Sequence, residues 1–160
     1  MSNSYKGPGT LSGAVWTNPS QASANDGLFA VHSAASQERL IATNFGFVIP
    51  AGSTILHVSA IVYGKGAGAS NTNRTVEVAL TLDAANVAPN SDVQLITMPL
   101  NVNHGYASNP DFGRWAIAIT RANVVDVNFG VLVRKNTAYP DSISIDYIEL
   151  VVEYTESNLF

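Results

Sequence analysis

Apolar and polar residues alternate with a period of two along much of this chain. The alternation is clearest in residues 74–83 and 127–134, where one parity is apolar and the other is mostly polar. The apolar positions are Val76, Val78, Leu80 and Leu82 in the first segment and Val127, Phe129, Val131 and Val133 in the second. Since successive side chains of a β-strand point to opposite faces, each segment is predicted to be a strand with one buried face.

Residues 142–154 form a longer apolar run in which the alternation changes parity midway. The odd positions Ile143, Ile145 and Tyr147 are apolar first, and the even positions Ile148, Leu150, Val152 and Tyr154 follow. A β-bulge inserts one extra residue into a strand and thereby reverses which parity faces the core. We predict a single strand with a bulge near Tyr147.

Five weaker strands are predicted at residues 28–32, 39–48, 54–64, 93–98 and 114–119. Pro50 and Gly52 predict a turn, either a hairpin or a corner, because proline removes a ladder donor and glycine tolerates positive φ. No helical periodicity extends beyond a single turn at residues 20–24. The sequence therefore predicts an all-β fold, an antiparallel two-layer β-sandwich that is jelly-roll-like and has eight or nine strands.

The length of 160 residues fits a single domain, which is predicted to span residues 14–155. Residues 1–13 are rich in Ser and Gly and are predicted to form a flexible N-terminal arm, with residues 156–160 as a short C-terminal tail. Both segments are expected to become ordered on contact with a partner. Their apolar side chains are the candidate partner contacts, namely Tyr5, Leu11, Leu159 and Phe160.

The composition of the chain excludes several function classes. There is no cysteine, so disulfides and thiolate chemistry are excluded. Charged residues make up 12% of the chain and its net charge is −4, which leaves no basic surface for nucleic acid. The sequence has neither a signal peptide nor the apolar run of a membrane span, so synthesis in the cytoplasm is expected. A surface this poor in charge suits burial against neighbours in an assembly.

Residue types that carry catalysis or hold metals are scattered along the sequence. The histidines lie far apart, and neither His32 nor His57 has a second histidine or a carboxylate at metal-ligand spacing. The serines lack a G-x-S-x-G motif, and the glycine-rich segment 64–70 lacks the closing Gly-Lys-Ser/Thr of a phosphate-binding loop. We therefore predict no catalytic residue, no metal site and no cofactor.

Five short segments stand out by their order and spacing. They are W-T-N-P from Trp16, N-D-G from Asn25, A-T-N-F-G-F from Ala42, I-P-A-G-S-T-I from Ile49 and I-D-Y-I-E-L-V-V-E-Y-T from Ile145. Their combination resembles a group of virion structural proteins of tailed bacteriophages, and the resemblance covers most of residues 16–155.

The resemblance implies a non-enzymatic structural protein of β-sandwich type in a phage particle. A compact module without fibre repeats or a stalk fits a capsid decoration (cement) protein on the outer surface of the head better than a tail component. The implied partners are the major capsid protein of the shell and copies of the chain itself, as a homotrimer, with no nucleic acid and no membrane. Bridging adjacent capsomers stabilises a shell because the bridging protein binds the assembled form more tightly.

Two other functions stay open at this level. One is a tail-associated carbohydrate- or receptor-binding module, since jelly-roll sandwiches commonly bind sugars through loop aromatics, here Tyr106 or Tyr139. The other is an enzyme, which would need paired carboxylates or an activated nucleophile. The sequence gives no local sign of either arrangement, so we expect a protein without enzymatic activity.

Overall fold

The computed structural model describes residues 1–67, 74–83, 93–98, 100, 104–107, 117–136 and 141–156. The strands in these residues are β1 (Ser2–Lys6), β2 (Thr10–Ser12), β3 (Ala30–His32), β4 (Leu40–Thr43), β5 (Thr54–Ala67), β6 (Arg74–Thr81), β7 (Gln94–Met98), β8 (His104–Ala107), β9 (Gly130–Lys135) and β10 (Ser142–Thr155). A 3₁₀ helix covers Pro19–Ala22, and one short α-helix, α1, covers Arg121–Val125. No helix in this part of the chain is long and apolar enough to cross a bilayer.

The strands form two antiparallel five-stranded sheets, which we call sheet A and sheet B. Sheet A has the order β1-β10-β5-β8. One edge of β10 pairs with β5, and its other edge pairs with β3 along the first half of β10 and with β1 along the second half. Sheet B has the order β2-β4-β9-β6-β7. The chain crosses between the sheets at nearly every connection, which gives a jelly-roll-like path. The antiparallel two-layer sandwich predicted from the sequence is confirmed.

The core lies between the two sheets and contains most of the apolar positions that the alternation predicted. Val76, Val78 and Leu80 of β6 are buried, as are Val131 and Val133 of β9. Sheet A contributes Val58, Ala60 and Val62 from β5 and Ile143, Ile145, Ile148, Leu150 and Val152 from β10. Val127 was expected among them but is 62% exposed, because β9 begins only at Gly130.

Three differences from the predicted strands have local causes. The described residues contain ten strands where eight or nine were predicted for the chain, because β1, β2 and β8 lie in segments without a long apolar alternation. The predicted strand 39–48 ends at Thr43, since Asn44 and Gly46 adopt φ values of 57° and 65° that interrupt a ladder. Of the predicted strand 114–119, residues 117–119 are not in a strand and the others lie outside the described residues.

The turn at Pro50 and Gly52 is a corner between the sheets, since β4 belongs to sheet B and β5 to sheet A. The amide of Ser53 donates to the Pro50 carbonyl at 3.2 Å, and Gly52 has a φ of 79°. A positive φ at the third position of a turn is the geometry that favours glycine there. Arg121 of α1 holds the corner by donating its Nε to the Ile49 carbonyl at 2.7 Å.

The predicted β-bulge is present in β10. Ile145 pairs with Gly64 and Tyr147 pairs with Tyr63, so Asp146 is the extra residue between two consecutive pairs. Ile145 and Ile148 therefore both face the core, although they have opposite parity. Asp146 is fully buried, and its carboxylate accepts hydrogen bonds from the amides of Asp26 and Gly27 at 3.3 and 3.0 Å.

The residues predicted as a flexible arm contribute an edge strand to each sheet. β1 pairs with β10 of sheet A, and β2 pairs with β4 of sheet B. Backbone hydrogen bonds of an edge strand need no apolar side chains, so a Ser- and Gly-rich segment forms them as well as any other. Domain boundaries at residues 13 and 155 stay a prediction, and residues 157–160 of the predicted tail lie outside the described residues.

Buried charges connect the two sheets at one end of the sandwich. Arg74, the first residue of β6 in sheet B, forms an ion pair with Asp141, which precedes β10 of sheet A. Lys135 at the end of β9 donates its Nζ to the carbonyls of Ala34 and Asp141. The Arg74 and Lys135 residues are only 4% and 2% exposed, so their charges need these partners.

Candidate functional site

The outer face of sheet A carries partly buried tyrosines between polar residues. We call this surface the tyrosine face and define it by seven of the residues that β1, β5 and β10 turn away from the core. They are Tyr5, Ser59, Ile61, Tyr63, Tyr147, Glu149 and Val151. The strands set their order, because Tyr147 pairs with Tyr63, Glu149 with Ile61, and Val151 with both Ser59 and Tyr5.

Tyr63 and Tyr147 are the centre of the tyrosine face. The bulge at Asp146 shifts Tyr147 out of the core parity and places it directly opposite Tyr63 of β5. The two ring centroids are 5.6 Å apart, and the ring planes are inclined by 37°. This separation is typical of interacting aromatic pairs, so the two rings stabilise each other in one arrangement.

Glycines on the flanking strands let both rings lie across the sheet. A Cβ atom at Gly7, just after β1, would lie 2.6 Å from Cε2 of Tyr147. A Cβ atom at Gly105 of β8 would lie 2.6 Å from Cε1 of Tyr63. Real Cβ atoms do not approach so closely, so the rings occupy space that any other residue would fill. The result is an aromatic surface that extends from β1 to β8.

Polar groups border the two rings and are partly withdrawn from water. Burial raises the pKa of Glu149 above its usual value. Burial, together with the nearby Glu149 carboxylate and Tyr63, also raises the pKa of Tyr147. The phenol of Tyr147 therefore keeps its proton at neutral pH and is available as a hydrogen-bond donor. Glu149, one pair further along β10, supplies acceptor oxygens.

The residues that the sequence proposed as partner contacts are not brought together by the described part of the fold. Tyr5 is 56% exposed and lies on the tyrosine face, opposite Val151. Leu11 is partly buried and packs against the core. Leu159 and Phe160 lie outside the described residues. Their role as partner contacts stays a prediction.

The sequence reasoning missed Tyr63 and Tyr147, because it sought sugar-binding aromatics in loops. Tyr139 lies outside the described residues, and Tyr106 lies in β8, where it pairs with Val62. The signal for Tyr63 was its place in the alternation, since it has the same parity as Ser59 and Ile61 and therefore points to the same outer face of β5. The signal for Tyr147 was the bulge itself, which was predicted but not followed to its consequence for this side chain.

The surroundings of the buried His32 fit a role in packing and not in binding a metal. Its ring is fully buried and meets the Trp16 ring edge-on, with centroids 5.1 Å apart, and its Nε2 lies 3.3 Å from Ser36 Oγ. Burial first, and the nearby charge of Lys135 second, lower the pKa of His32. Within the part of the chain that the structure describes, no three His, Asp or Glu side chains are grouped for a metal ion.

This environment makes the stability of the protein depend on pH. The unfolded chain takes up a proton at His32 near pH 6.5, whereas the folded protein takes it up only at a lower pH. The free energy of unfolding therefore has its full value above pH 6.5 and decreases as the pH falls below it. We expect the urea midpoint to decrease between pH 7.5 and pH 5.5. His32→Asn should show a smaller decrease, and an equal decrease in both proteins would contradict this role.

Comparisons with known proteins identify fold neighbours only. No family model matches the chain, and no curated protein matches its sequence. Among solved structures, the chain is similar to CBM29_1, a family 29 carbohydrate-binding module from Piromyces equi, with 11% identity, a TM-score of 0.46, and coverage of 94% of this chain and 91% of that one. It is also similar to the CBM35 from Cellvibrio japonicus Abf62, with 12% identity, a TM-score of 0.44, and coverage of 98% and 99%.

Proposed function

We propose that this protein is a non-catalytic carbohydrate-binding module and that the tyrosine face binds the sugar. The observation that carries the proposal is the pair of Tyr63 and Tyr147, held 5.6 Å apart over two glycine positions on the flanking strands. The C–H groups of a sugar ring are weakly positive, and the faces of aromatic rings are negative, so a sugar ring stacks favourably on such a surface.

The groups around the rings favour neutral sugars. Sugar hydroxyls donate to carboxylates and accept from phenols, and Glu149 and Tyr147 supply both kinds of partner beside the stacking surface. Glu149 and Glu153 lie on the same side of β10, and their negative charges oppose an acidic sugar at this face. The two rings lie side by side on adjacent strands of a sheet, an arrangement that suits an extended chain or a terminal residue more than a buried small molecule.

A glycan array followed by calorimetry tests this proposal. The purified protein is applied to neutral and acidic glycans, and the neutral glycan with the strongest signal is titrated as a free oligosaccharide. We expect saturable binding of at least one neutral oligosaccharide with a one-to-one stoichiometry. An array without any signal on neutral glycans, at protein concentrations of about 100 μM, would reject carbohydrate binding at the tyrosine face.

A different surface favours a second candidate function, that of a structural protein in a phage particle. Val48 and Val127 are 85% and 62% exposed, and their segments adjoin because the Asn44 amide donates to the Val127 carbonyl at 3.0 Å. Exposed apolar residues on a surface with few charges suit contact with another protein. Together with the sequence resemblance, this supports a decoration protein on the head, with the major capsid protein and other copies in a homotrimer as partners, or a tail component.

Co-sedimentation with empty phage capsids tests the second candidate. Light scattering of the free protein first gives its oligomeric state, and the trimer is then mixed with shells at matched salt. Binding that is lost in the Val48→Ser, Val127→Ser double variant would support decoration through this surface. If the protein is a monomer and stays in the supernatant with every shell, the decoration function is contradicted and carbohydrate binding is the better-supported function.

A further inference from the structure

Tyr5 of β1 is the third tyrosine of the tyrosine face, and it lies beside the ring of Tyr147. A Cβ atom at Gly7 would lie 2.6 Å from Cε2 and 2.7 Å from the hydroxyl oxygen of Tyr147, so this ring reaches from β10 to the end of β1. Gly7 is two residues from Tyr5, and two residues of a strand cover about 7 Å. The three tyrosines therefore follow one another across the face in the order Tyr63, Tyr147 and Tyr5.

This row of three tyrosines, which we call the tyrosine strip, crosses the width of sheet A. It begins where the Tyr63 ring lies over Gly105 of β8, and it ends at Tyr5 of β1. Strands β5 and β10 lie between these two. Neighbouring strands are about 4.8 Å apart, so the strip covers about 14 Å. That width exceeds a single sugar ring, and one monosaccharide therefore cannot contact all three tyrosines.

The surface between the tyrosines is apolar and Tyr5 itself is accessible. Val151 pairs with Tyr5, and Ile61 lies two residues before Tyr63 on the same face of β5. Both side chains are partly buried, as are Tyr63 and Tyr147, whereas Tyr5 is 56% exposed. The ring of Tyr5 is thus available to a ligand that already lies on the other two tyrosines.

The two ends of the strip favour a continuing chain over a terminal sugar. Recognition of a terminal sugar needs a wall or polar groups placed beyond its end. In the part of sheet A that the structure describes, β8 is the outermost strand at one end of the strip and β1 is the outermost strand at the other. A chain that lies on the strip can therefore continue past both edges of the sheet.

The charged groups along the strip fit a neutral chain. Glu149 lies beside Tyr147 on the same face, and Glu153 pairs with Asn3 beyond Tyr5, so carboxylate and amide groups are available to sugar hydroxyls. Lys65, two residues after Tyr63, holds its Nζ 4.5 Å from the centroid of the Phe29 ring. Its cation is therefore already engaged by an aromatic face.

We propose that the tyrosine strip binds the interior of an extended, linear, neutral polysaccharide and that Tyr5 is the residue that recognises chain length. Successive sugar units lie over Tyr63, Tyr147 and Tyr5, and the chain crosses the strands of sheet A from β8 to β1. The inference rests on the proposed function, and it assigns the tyrosine face an extended chain as ligand in place of a terminal sugar.

Calorimetry with oligosaccharides of increasing length tests the inference. Cello-, xylo- and manno-oligosaccharides are extended chains, malto-oligosaccharides are the curled comparison, and each series runs from the disaccharide to the hexasaccharide. We expect the affinity for at least one extended series to rise by about tenfold with length and then level off, because a short ligand does not reach Tyr5. The malto series should rise less. An affinity that is independent of length in every extended series would overturn the inference.

Reduction of the terminal sugar to an alditol tests whether the chain end is recognised. The reduced hexasaccharide should bind within about twofold of the parent hexasaccharide, because the strip has no closed end. Loss of binding on reduction would show that the site holds a terminal sugar and would overturn the inference.

Variants of β1 test the role of Tyr5. Tyr5→Ala should weaken binding of the hexasaccharide about tenfold and leave the disaccharide almost unchanged, whereas Tyr5→Phe keeps the stacking ring and should retain most of the affinity. Lys6→Ala is the matched control, because Lys6 is exposed on the same strand with the opposite parity. Urea midpoints verify that the variants are folded. No loss in Tyr5→Ala, or an equal loss for both lengths, would overturn the inference.

Failure of this inference and failure of the proposed function give different results. If no neutral glycan binds, the proposed function is rejected and the inference with it. If a short neutral sugar binds with an affinity that depends on Tyr63 and Tyr147 but neither on length nor on Tyr5, only the inference is overturned.

Discussion

Replacing both Tyr63 and Tyr147 by alanine is expected to reduce the affinity for neutral sugars by about a hundredfold or more. Burial of an aromatic surface together with its ring interaction contributes about 1–3 kcal/mol for each residue, and about 1.4 kcal/mol corresponds to a tenfold change in affinity. The rings contact each other, so the effects of the single variants should not simply add. Calorimetry with the best neutral oligosaccharide measures all three variants.

Controls distinguish loss of the site from loss of the fold. The two tyrosines lie on an outer face, so their removal leaves no core cavity and should cost about 1 kcal/mol of stability each. Leu95→Ala is a matched control, because Leu95 is 61% exposed and projects from sheet B, away from the tyrosine face. It should leave the neutral-sugar affinity unchanged. A double tyrosine variant that binds within twofold of the parent would contradict the proposed site.

Phenylalanine variants separate the two contributions of each tyrosine. Tyr147→Phe keeps the ring over Gly7 but removes the hydroxyl, so stacking persists while one hydrogen bond is lost. A single neutral hydrogen bond contributes about 0.5–1.5 kcal/mol, which predicts a loss of between twofold and about tenfold. The alanine variant of the same residue should therefore bind more weakly than the phenylalanine variant.

The alternation of apolar residues predicted much of the fold because it records which side of a strand is buried. It located β6 and β10, and the change of parity in β10 located the bulge at Asp146. It did not predict β1, β2 or β8, since an edge strand is held by backbone hydrogen bonds that every residue offers. Helix α1 was missed because five residues are too few for a helical period, although Thr120 and Asn123 form a local capping box.

The tyrosine face was harder to predict than the strands because it depends on pairing between distant segments. Tyr63 and Tyr147 become neighbours only through the register of β5 against β10, and one extra residue decides that register. The glycines that leave room for the rings come from two further places in the chain, Gly105 in β8 and Gly7 just after β1. No local pattern contains this information, so a search for loop aromatics considered Tyr106 and Tyr139 instead.

The buried ion pair between the sheets carries the second large expected effect. Asp141→Asn keeps the shape of the side chain but removes its charge, and with it the negative partner of the buried Arg74 and the carboxylate that raises the pKa of Lys135. Breaking a buried pair in this way costs about 3–5 kcal/mol, and the 18% exposure of the Asp141 side chain reduces the expected loss to about 2–3 kcal/mol. Urea denaturation at pH 7 measures the free energy of unfolding.

A matched control and a double variant define the cause of that loss. Glu156→Gln removes an exposed carboxylate that accepts a hydrogen bond from Ser2, and it should cost less than about 0.5 kcal/mol. Replacing both Arg74 and Asp141 by apolar residues of similar size should recover part of the loss, because no uncompensated arginine is then buried. A loss in Asp141→Asn no larger than that of the control would contradict the buried pair as a stabilising contact between the sheets.

The pH dependence of the Asp141→Asn variant tests the same electrostatic argument through Lys135. Burial lowers the pKa of Lys135, Asp141 raises it, and Arg74 lowers it. Without the Asp141 charge the pKa should fall further, so the unfolded chain binds more protons than the folded state over a wider range of pH below about 10.5. Stability then rises with pH, and the deficit of the variant relative to the parent should be smaller at pH 9.5 than at pH 7. A deficit that stays constant or grows with pH would contradict the electrostatic coupling between Asp141 and Lys135.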